Sequence, residues 1–372
     1  MELTITAKIK INPTVEQAKQ LQETTNAYRK ACHFVSAIVF KEKEMAQTKL
    51  HKQTYTHLRS AYGLRSQMAQ SVLKTVISKY KTNKSNGHEW SQVQFKKPQY
   101  DLVWNRDYSL VKGLFSVNTL QGRIKVPFET KAMEQYFDGT WSFGTAKLVN
   151  KHGKWFLHIP MSKDVPQVAE TMVNQVVGID FGINFLAASY DSQGKTCFFN
   201  GRPVKQKRAT YKHLRKQLQQ KQTPAARRRL KEIGQRENRW MQDINHCISK
   251  ALVTQYKENT LFVIEDLTGI RTATEKVRLK NRYQTVSWAF YDLRQKLEYK
   301  ALMNHSKVIA VDPNYTSQTC PKCGHVEKAN RNKKNHIFCC KTCRYRSNDD
   351  RIGAMNLHRN GIEYIVAVTK EA

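Results

Sequence analysis

A chain of 372 residues has room for two or three domains, each with its own core. Hydrophobic residues at 40% and aromatics at 10% exclude wholesale disorder, and no apolar run approaches the roughly 18 residues of a spanning helix. Lysine and arginine number 63 against 30 aspartates and glutamates, a net charge of +33, so the default partner is a polyanion, nucleic acid ahead of an anionic membrane. The opening segment, Met1 to Ile9, alternates like a strand and lacks the charged-then-apolar order of a signal peptide. Of eight cysteines, five fall between Cys320 and Cys343, which points to an intracellular protein with a metal site, not a disulfide framework.

In chain order, Leu3, Ile5, Ala7, Ile9 and Ile11 recur with period 2 and predict a half-buried strand that ends before Pro13. Val15, Ala18, Leu21, Tyr28, Ala31, Phe34 and Ile38 predict a long helix from about Thr14. A second helix is expected from about Tyr55 to Tyr80, followed by a polar linker, Lys81 to Glu89. Short β segments between about Phe95 and Ser162 are punctuated by Gly113, Gly122, Gly139 and Gly153. Gln175 to Asp180 reads as a buried strand running into the Gly182 turn. Leu186 to Tyr190 and Thr196 to Phe199 follow as strands around the turn Asp191-Ser192-Gln193-Gly194. A basic helical tract extends to about Lys257, then Leu261 to Ile264 is a buried strand ending in carboxylates. A helix from about Val286 to Met303, a strand at Val308 to Val311, the cysteine cluster and a helix from Asp350 complete the chain.

Three constellations carry chemistry. Cys320 and Cys323 form one CxxC knuckle and Cys340 and Cys343 a second, with sixteen residues between Cys323 and Cys340. Two knuckles complete a closed tetrahedral site of four thiolates, the pattern of one structural zinc. Cys339 is a rival to Cys340, although symmetric CxxC spacing favours Cys340.

The second constellation is Asp180, Glu265 and Asp350: two carboxylates on apolar strands and one at a helix start. Such groups are costly to bury unless a cation or hydrogen bonds compensate. In so basic a protein they suggest a Mg2+ site, and two such ions would suit phosphodiester hydrolysis. Asp266 and Asp349 are adjacent rivals, although alternation prevents Glu265 and Asp266 from facing one site.

The third is the tract from Lys205 to Arg239, with thirteen lysines and arginines against Glu232 and Glu237. Lys205, Lys207, Arg208, Arg215, Arg227, Arg228 and Arg229 are its candidate phosphate contacts. Leu230, Ile233, Trp240 and Ile244 give the same tract a packing face. No Walker-type loop or GxSxG motif is present.

One ordered combination spans nearly the whole chain: Ile11-Asn12-Pro13-Thr14 with Glu16-Gln17, Tyr28-Arg29, Gly178-Ile179-Asp180, Glu265-Asp266-Leu267, Tyr315-Thr316-Ser317-Gln318 before the cysteines, and Asp350 with Gly353-Ala354 and Asn356-Leu357. This combination resembles the transposon-encoded TnpB family, relatives of the miniature type V CRISPR effectors. The resemblance implies a multidomain α+β protein. A RuvC nuclease domain of RNase H-like fold would occupy 173–314 and 345–372, with a zinc ribbon at 315–344 inserted before its third carboxylate. An oligonucleotide-binding-type wedge β-barrel would occupy 1–12 and 90–172, and a helical recognition domain 13–89.

By the same resemblance Asp180, Glu265 and Asp350 are the three catalytic, Mg2+-binding carboxylates, and Cys320, Cys323, Cys340 and Cys343 hold Zn2+. The implied activity is RNA-guided cleavage of double-stranded DNA beside a short motif read by the protein. The implied partners are a guide RNA from the transposon end and the target DNA, with no membrane. The implied setting is a monomer with one RNA in a prokaryotic cytoplasm. Arg344 stands where glycine is common, and Asp350-Arg351-Ile352-Gly353-Ala354 replaces Asp-x-Asn-Ala-Ala, while Asn356-Leu357 keeps the register on Asp350. The rival readings are a nucleic-acid-binding regulator without cleavage and a DNA transposase.

Overall fold

The computed structural model describes residues 1–131, 133–267 and 290–371. They divide into an N-terminal unit, residues 2–164, and a C-terminal unit of Met1 with the residues from 165 onward.

In the N-terminal unit, strand β1 (Glu2–Ile11) buries Leu3, Ala7, Ile9 and Ile11 and turns Thr4, Thr6 and Lys8 outward, as its alternation dictates. Helix α1 (Val15–Glu42) starts at a capping box: the Thr14 hydroxyl accepts from the Gln17 N–H and the Gln17 side chain accepts from the Thr14 N–H. The helix expected over 55–80 is two helices, α2 (Gln47–Tyr62) and α3 (Ser66–Ser85). Gly63, at φ 62°, takes the left-handed turn and donates to the Leu58 carbonyl, which ends α2. The expected polar linker begins late, because α3 continues to Ser85.

Then come β2 (Gln99–Leu102), β3 (Tyr108–Val111), β4 (Leu114–Asn118), β5 (Arg123–Val126), β6 (Phe128–Glu129), β7 (Ser142–Phe143), β8 (Ala146–Lys151) and β9 (Lys154–Asp164). The main sheet has the order β2-β8-β9-β1-β6 with β7 beside β9, and β3-β4-β5 form a separate antiparallel sheet. A buried chain ties α1 and α3 to β2: Tyr28 Oη lies 2.7 Å from Thr75 Oγ1, which donates to Asp101 Oδ2 at 2.6 Å.

The C-terminal unit contains β10 (Gln175–Asp180), β11 (Phe185–Asp191), β12 (Thr196–Asn200), α4 (Arg202–Lys221), α5 (Pro224–Gln255), β13 (Thr260–Glu265), α6 (Phe290–Met303) and β14 (Lys307–Val311). The short strands β15 (Arg331–Asn332), β16 (Ile337–Cys339) and β17 (Arg346–Asn348) precede helix α7 (Asp349–Glu371). Residues 286–289 of the expected helix lie outside the described residues. The basic tract is two helices, broken where the Thr223 hydroxyl caps α5 through the Ala226 N–H and Pro224 takes its first position.

The sheet order is β12-β11-β10-β13-β14. β10, β13 and β14 run parallel, while β11 and β12 are antiparallel. Both faces are covered, which explains the continuous apolar runs. Val177, Ile179, Phe262 and Ile264 join one core with Ile248 and Leu252 of α5 and Leu293 and Leu297 of α6. Val176, Leu261 and Val263 join another with Leu357 of α7. Gly178 lets α7 lie directly on β10, since a Cβ there would be 2.1 Å from the Ala354 carbonyl oxygen. Among the described residues no helix is long and apolar enough to cross a membrane.

Candidate functional site

Alternation decides which acids meet. Val176, Gly178 and Asp180 share the face of β10 that α7 covers, and Leu261, Val263 and Glu265 share the same face of β13. Ile179 pairs with Ile264 in the parallel ladder, so Asp180 and Glu265 leave adjacent strand ends on one side. Asp266 points to the opposite face and pairs with Arg294 of α6 at 3.1 Å. α7 supplies the third acid at its first turn. Asn348 Oδ1 accepts from the backbone N–H groups of Asp350 and Arg351, capping the helix and fixing Asp350 over the strand ends.

The three carboxylates act on one another. Burial, then the charges of Glu265 and Asp350, push Asp180 well above the ordinary aspartate range. Burial raises Glu265 against a 2.6 Å hydrogen bond from the Thr316 hydroxyl. Burial and then Asp349 lift Asp350 to about 6, while Arg331, His336 and Lys205 oppose the rise. Asp350 Oδ2 is buried without a hydrogen-bond partner. Mutual repulsion plus an orphaned buried oxygen is the environment a divalent cation relieves, so the residues fit Mg2+. The trio is not drawn into the tightest grouping: among the described residues, ligand atoms within 4.8 Å of one another occur in the four-cysteine set and in His336, Asp349 and Asp350. A wider ring leaves room for water and phosphate oxygens, which Mg2+ retains in its shell.

Arg331 carried no signal in the sequence, and the contacts of Asp349, Thr316 and Asn356 become visible only in the structure. Arg331, on β15, pairs with Asp349 at 2.8 Å and Asp350 at 3.8 Å, bringing one cation to a buried acidic cluster. Asp349 is fully buried and held by Arg331 and His336, so it is the paired acid and Asp350 the one with an open oxygen. Thr316 is itself anchored: Asn356 Nδ2 on α7 donates to the Thr316 carbonyl at 2.6 Å and the Thr319 carbonyl at 2.9 Å. The Asn356 motif therefore ties the entry to the cysteine segment onto α7, the helix that carries Asp350.

The cysteine segment is built around its sulfurs. Cys320 and Cys343 Sγ are 3.5 Å apart, and Cys323 and Cys340 Sγ 3.6 Å. Zn–S bonds of about 2.3 Å place tetrahedral sulfurs about 3.8 Å apart, so the set fits zinc. Burial opposes ionisation of Cys340, but the N–H groups of Cys343 and Thr342 bring its pKa down to about 6, which favours the thiolate a metal needs. Cys339 lies on β16 outside the set. Ile352 of α7 packs with Cys320, Phe338 and Cys340, so the cluster is braced against the helix that carries Asp350.

The basic tract needs correction at two positions. Arg208 is buried and pairs with Glu237 at 3.5 Å, and Arg215 meets the other oxygen of the same carboxylate. Both serve the seam between α4 and α5, where an inward Glu237 has to be neutralised. Lys207 lies 4.4 Å from the Trp240 ring centroid. Arg227 and Arg228 are exposed, and Arg229 pairs with Glu232 at 3.0 Å on the surface. Lys205 instead reaches Asn184 beside the carboxylates.

The N-terminal unit carries a basic row of its own. Lys147, His158 and Lys8 sit opposite one another across β8, β9 and β1, and Val149, Phe156 and Lys10 form the next row on that face. Partial burial, then Lys151, Lys8 and Lys147, push His158 down to about 4. The lysines on either side keep the ring between them neutral, with Lys147 also paired to Asp101 at 3.7 Å. The alternation of Lys8 and Lys10 along β1 was the available signal.

Residues 290–357, spanning the cysteine cluster and Asp350, match the family described as Cas12f1-like, TNB domain. Residues 158–272, spanning Asp180 and Glu265, match the family described as probable transposase. A CRISPR-associated endodeoxyribonuclease Cas12f1 from Sulfoacidibacillus thermotolerans is 30% identical over 256 residues, covering 63% of this chain and 57% of that protein. The putative RNA-guided DNA endonuclease InsQ of Escherichia coli K12 is 28% identical, covering 55% and 53%. The TnpB-like protein MJ0751 of Methanocaldococcus jannaschii is 34% identical over 125 residues, covering 33% and 44%. The chain spans about half the length of the curated relatives it matches. Among solved structures, the mini-RNA-guided endonuclease CRISPR-Cas phi3 shares the fold, with a TM-score of 0.52 at 10% identity over 97% of this chain and 92% of that one. The resemblance to TnpB-like proteins read from the sequence holds.

Proposed function

We propose that this protein is an RNA-guided DNA endonuclease of a transposable element. In this reading the C-terminal unit is an RNase H-like nuclease of the RuvC type, with a zinc ribbon between β14 and α7. The sheet of the N-terminal unit is the wedge, and α1 to α3 form the recognition domain inserted after β1. The observation that carries the reading is that half-buried Asp180 and Glu265 and buried Asp350 converge from two adjacent parallel strands and the covering helix. Support also comes from the net charge of +33 and from the similarity to proteins named as RNA-guided endonucleases. The proposed partners are one guide RNA from the element's end and target double-stranded DNA, bound by a cytoplasmic monomer.

Asp180, Glu265 and Asp350 would hold Mg2+, which when bound supplies Lewis acidity and charge neutralisation for phosphodiester hydrolysis. Thr316 orients Glu265 through its hydroxyl. Arg331 balances the charge of Asp349 and, at longer range, of Asp350. Base pairing supplies sequence selection, and the protein reads only a short adjoining motif. The test is cleavage of a matched DNA by RNA-loaded wild type and Asp180→Ala. Cutting by the first alone, with equal RNA retention, supports the reading. Equal loss of RNA and cutting would refute the role given to Asp180.

A second reading, strand transfer by a transposase, is favoured by the family match over 158–272. Products covalently joined to new DNA would select it over simple cut ends.

A further inference from the structure

The cysteine segment does more than brace Asp350: it closes one wall of a cavity of about 460 Å3, within the range of about 300–1,000 Å3 that holds a small ligand. The opposite wall is the β10–β11 turn, the end of β12 and the start of α4. Asn348, which caps α7 and positions Asp350, is part of the lining, so the cavity opens beside the carboxylates.

Its lining divides by chemistry. Arg202 and Lys205 are cations, and among the described residues no carboxylate lines the cavity with them. Phe185 offers an aromatic ring, backed by Phe198 at 4.7 Å between centroids. Asn335 and Asn200 bring amides, of which the Asn200 oxygen is used on the Arg202 N–H at 2.9 Å. A hydrogen-bonded chain joins this lining to the acids: Lys205 donates to Asn184 Oδ1, Asn184 Nδ2 donates to His336, and His336 Nδ1 faces Asp349 Oδ1 at 3.4 Å. Cation, ring and amide edge, side by side, are the three groups that recognise phosphate, base face and base edge.

We propose that this cavity holds one nucleotide of the strand being cut, next to the scissile phosphate, with its phosphate on Arg202 and Lys205, its base against Phe185, and its edge read by Asn335 and Asn200. The proposal rests on the nuclease reading and deepens it: the protein itself, not the guide, imposes a preference on the base beside the cut. The zinc ribbon then takes part in substrate selection, because it carries Asn335 and His336.

The first arm uses RNA-loaded protein and matched target DNA randomised at the positions flanking each cut. Wild type is expected to favour one base at one flanking position, and Asn335→Ala or Asn200→Ala to flatten that preference by about three- to tenfold, the weight of one hydrogen bond. A purely structural role would slow all substrates together. A wild-type profile with no preference, or variants with the wild-type profile, would overturn the proposal. The second arm needs no cleavage: amine acylation of Lys205, read by mass spectrometry, with a deoxynucleoside 5′-monophosphate or inorganic phosphate present. Protection by the nucleotide well beyond that by phosphate supports the pocket. Equal protection, or none, overturns it. Protection by the nucleotide in a chain that never cuts would fault the nuclease reading and leave the pocket standing.

Discussion

Gly353 presents a bare Cα to the carboxylate of Asp180: a Cβ at 353 would lie 2.8 Å from Asp180 Oδ2 and 3.0 Å from its Cγ. Asp350 stands one turn earlier on the same helix, so this contact sets how closely the first and third acids approach. Gly353→Ala is expected to displace Asp180 and cut the rate about 100-fold, the usual cost of misplacing a reacting group by about 1 Å. RNA retention should be unchanged. Single-turnover cleavage with a parallel RNA-binding assay checks both, and wild-type cleavage by the variant would show that the contact is slack.

Thr316 tests how Glu265 is held. Thr316→Val keeps the shape and removes the donor to Glu265, so cleavage should fall about tenfold or more, as expected for a hydrogen bond to a charged group. The Mg2+ concentration for half-maximal rate should rise. Thr316→Ser keeps the hydroxyl and should recover most of the loss.

Zinc removal should act on cleavage through geometry. The sulfur cluster packs Ile352 of α7, and the segment it organises carries Arg331 and His336. Cys340→Ser is expected to lower zinc content below one per chain and cleavage about 10- to 100-fold, as when the support of a metal site is lost. Atomic absorption and cleavage on the same sample check this, and full activity without zinc would contradict it.

The basic row of the N-terminal unit predicts a pH effect. The pKa of folded His158 is held near 4, below the ordinary 6.5. The fold therefore keeps this contribution above about pH 6.5 and loses it as pH falls through 4, where the unfolded chain binds the extra proton first. The half-exposed position limits the effect to about 1–2 kcal/mol. Urea titrations at pH 7 and pH 4.5 should show a smaller loss in His158→Gln than in wild type, and a bound oligonucleotide should shrink the wild-type loss by screening the lysines.

Much of the framework was legible because it depends on period. The alternation of β1, and the even-numbered face of β10 shared with the odd-numbered face of β13, follow from side chains of period 2. The same rule separated Glu265 from Asp266. Gly63 divides the helix expected over 55–80 into two, because a glycine within a helical pattern stops it only where its φ turns positive. Thr316 and Gly353 stood in the quoted combination, but what they touch was not legible, and Arg331 gave no signal at all, because their partners are remote in the chain or lie across the sheet. An excess of charge says nothing about which cation an inward Glu237 will claim, and Arg208 and Arg215 are the ones it takes.

The central claim is that Asp180, Glu265 and Asp350 cut DNA chosen by a bound RNA. The most direct measurement is to purify the chain expressed with its flanking DNA, sequence the RNA that accompanies it, and incubate the complex with Mg2+ and a DNA matching that RNA. The expected result is one defined RNA, cleavage of the matched DNA only, and no cleavage by Asp180→Ala carrying the same RNA. Random RNA fragments, or equal cleavage by wild type and Asp180→Ala, would contradict it.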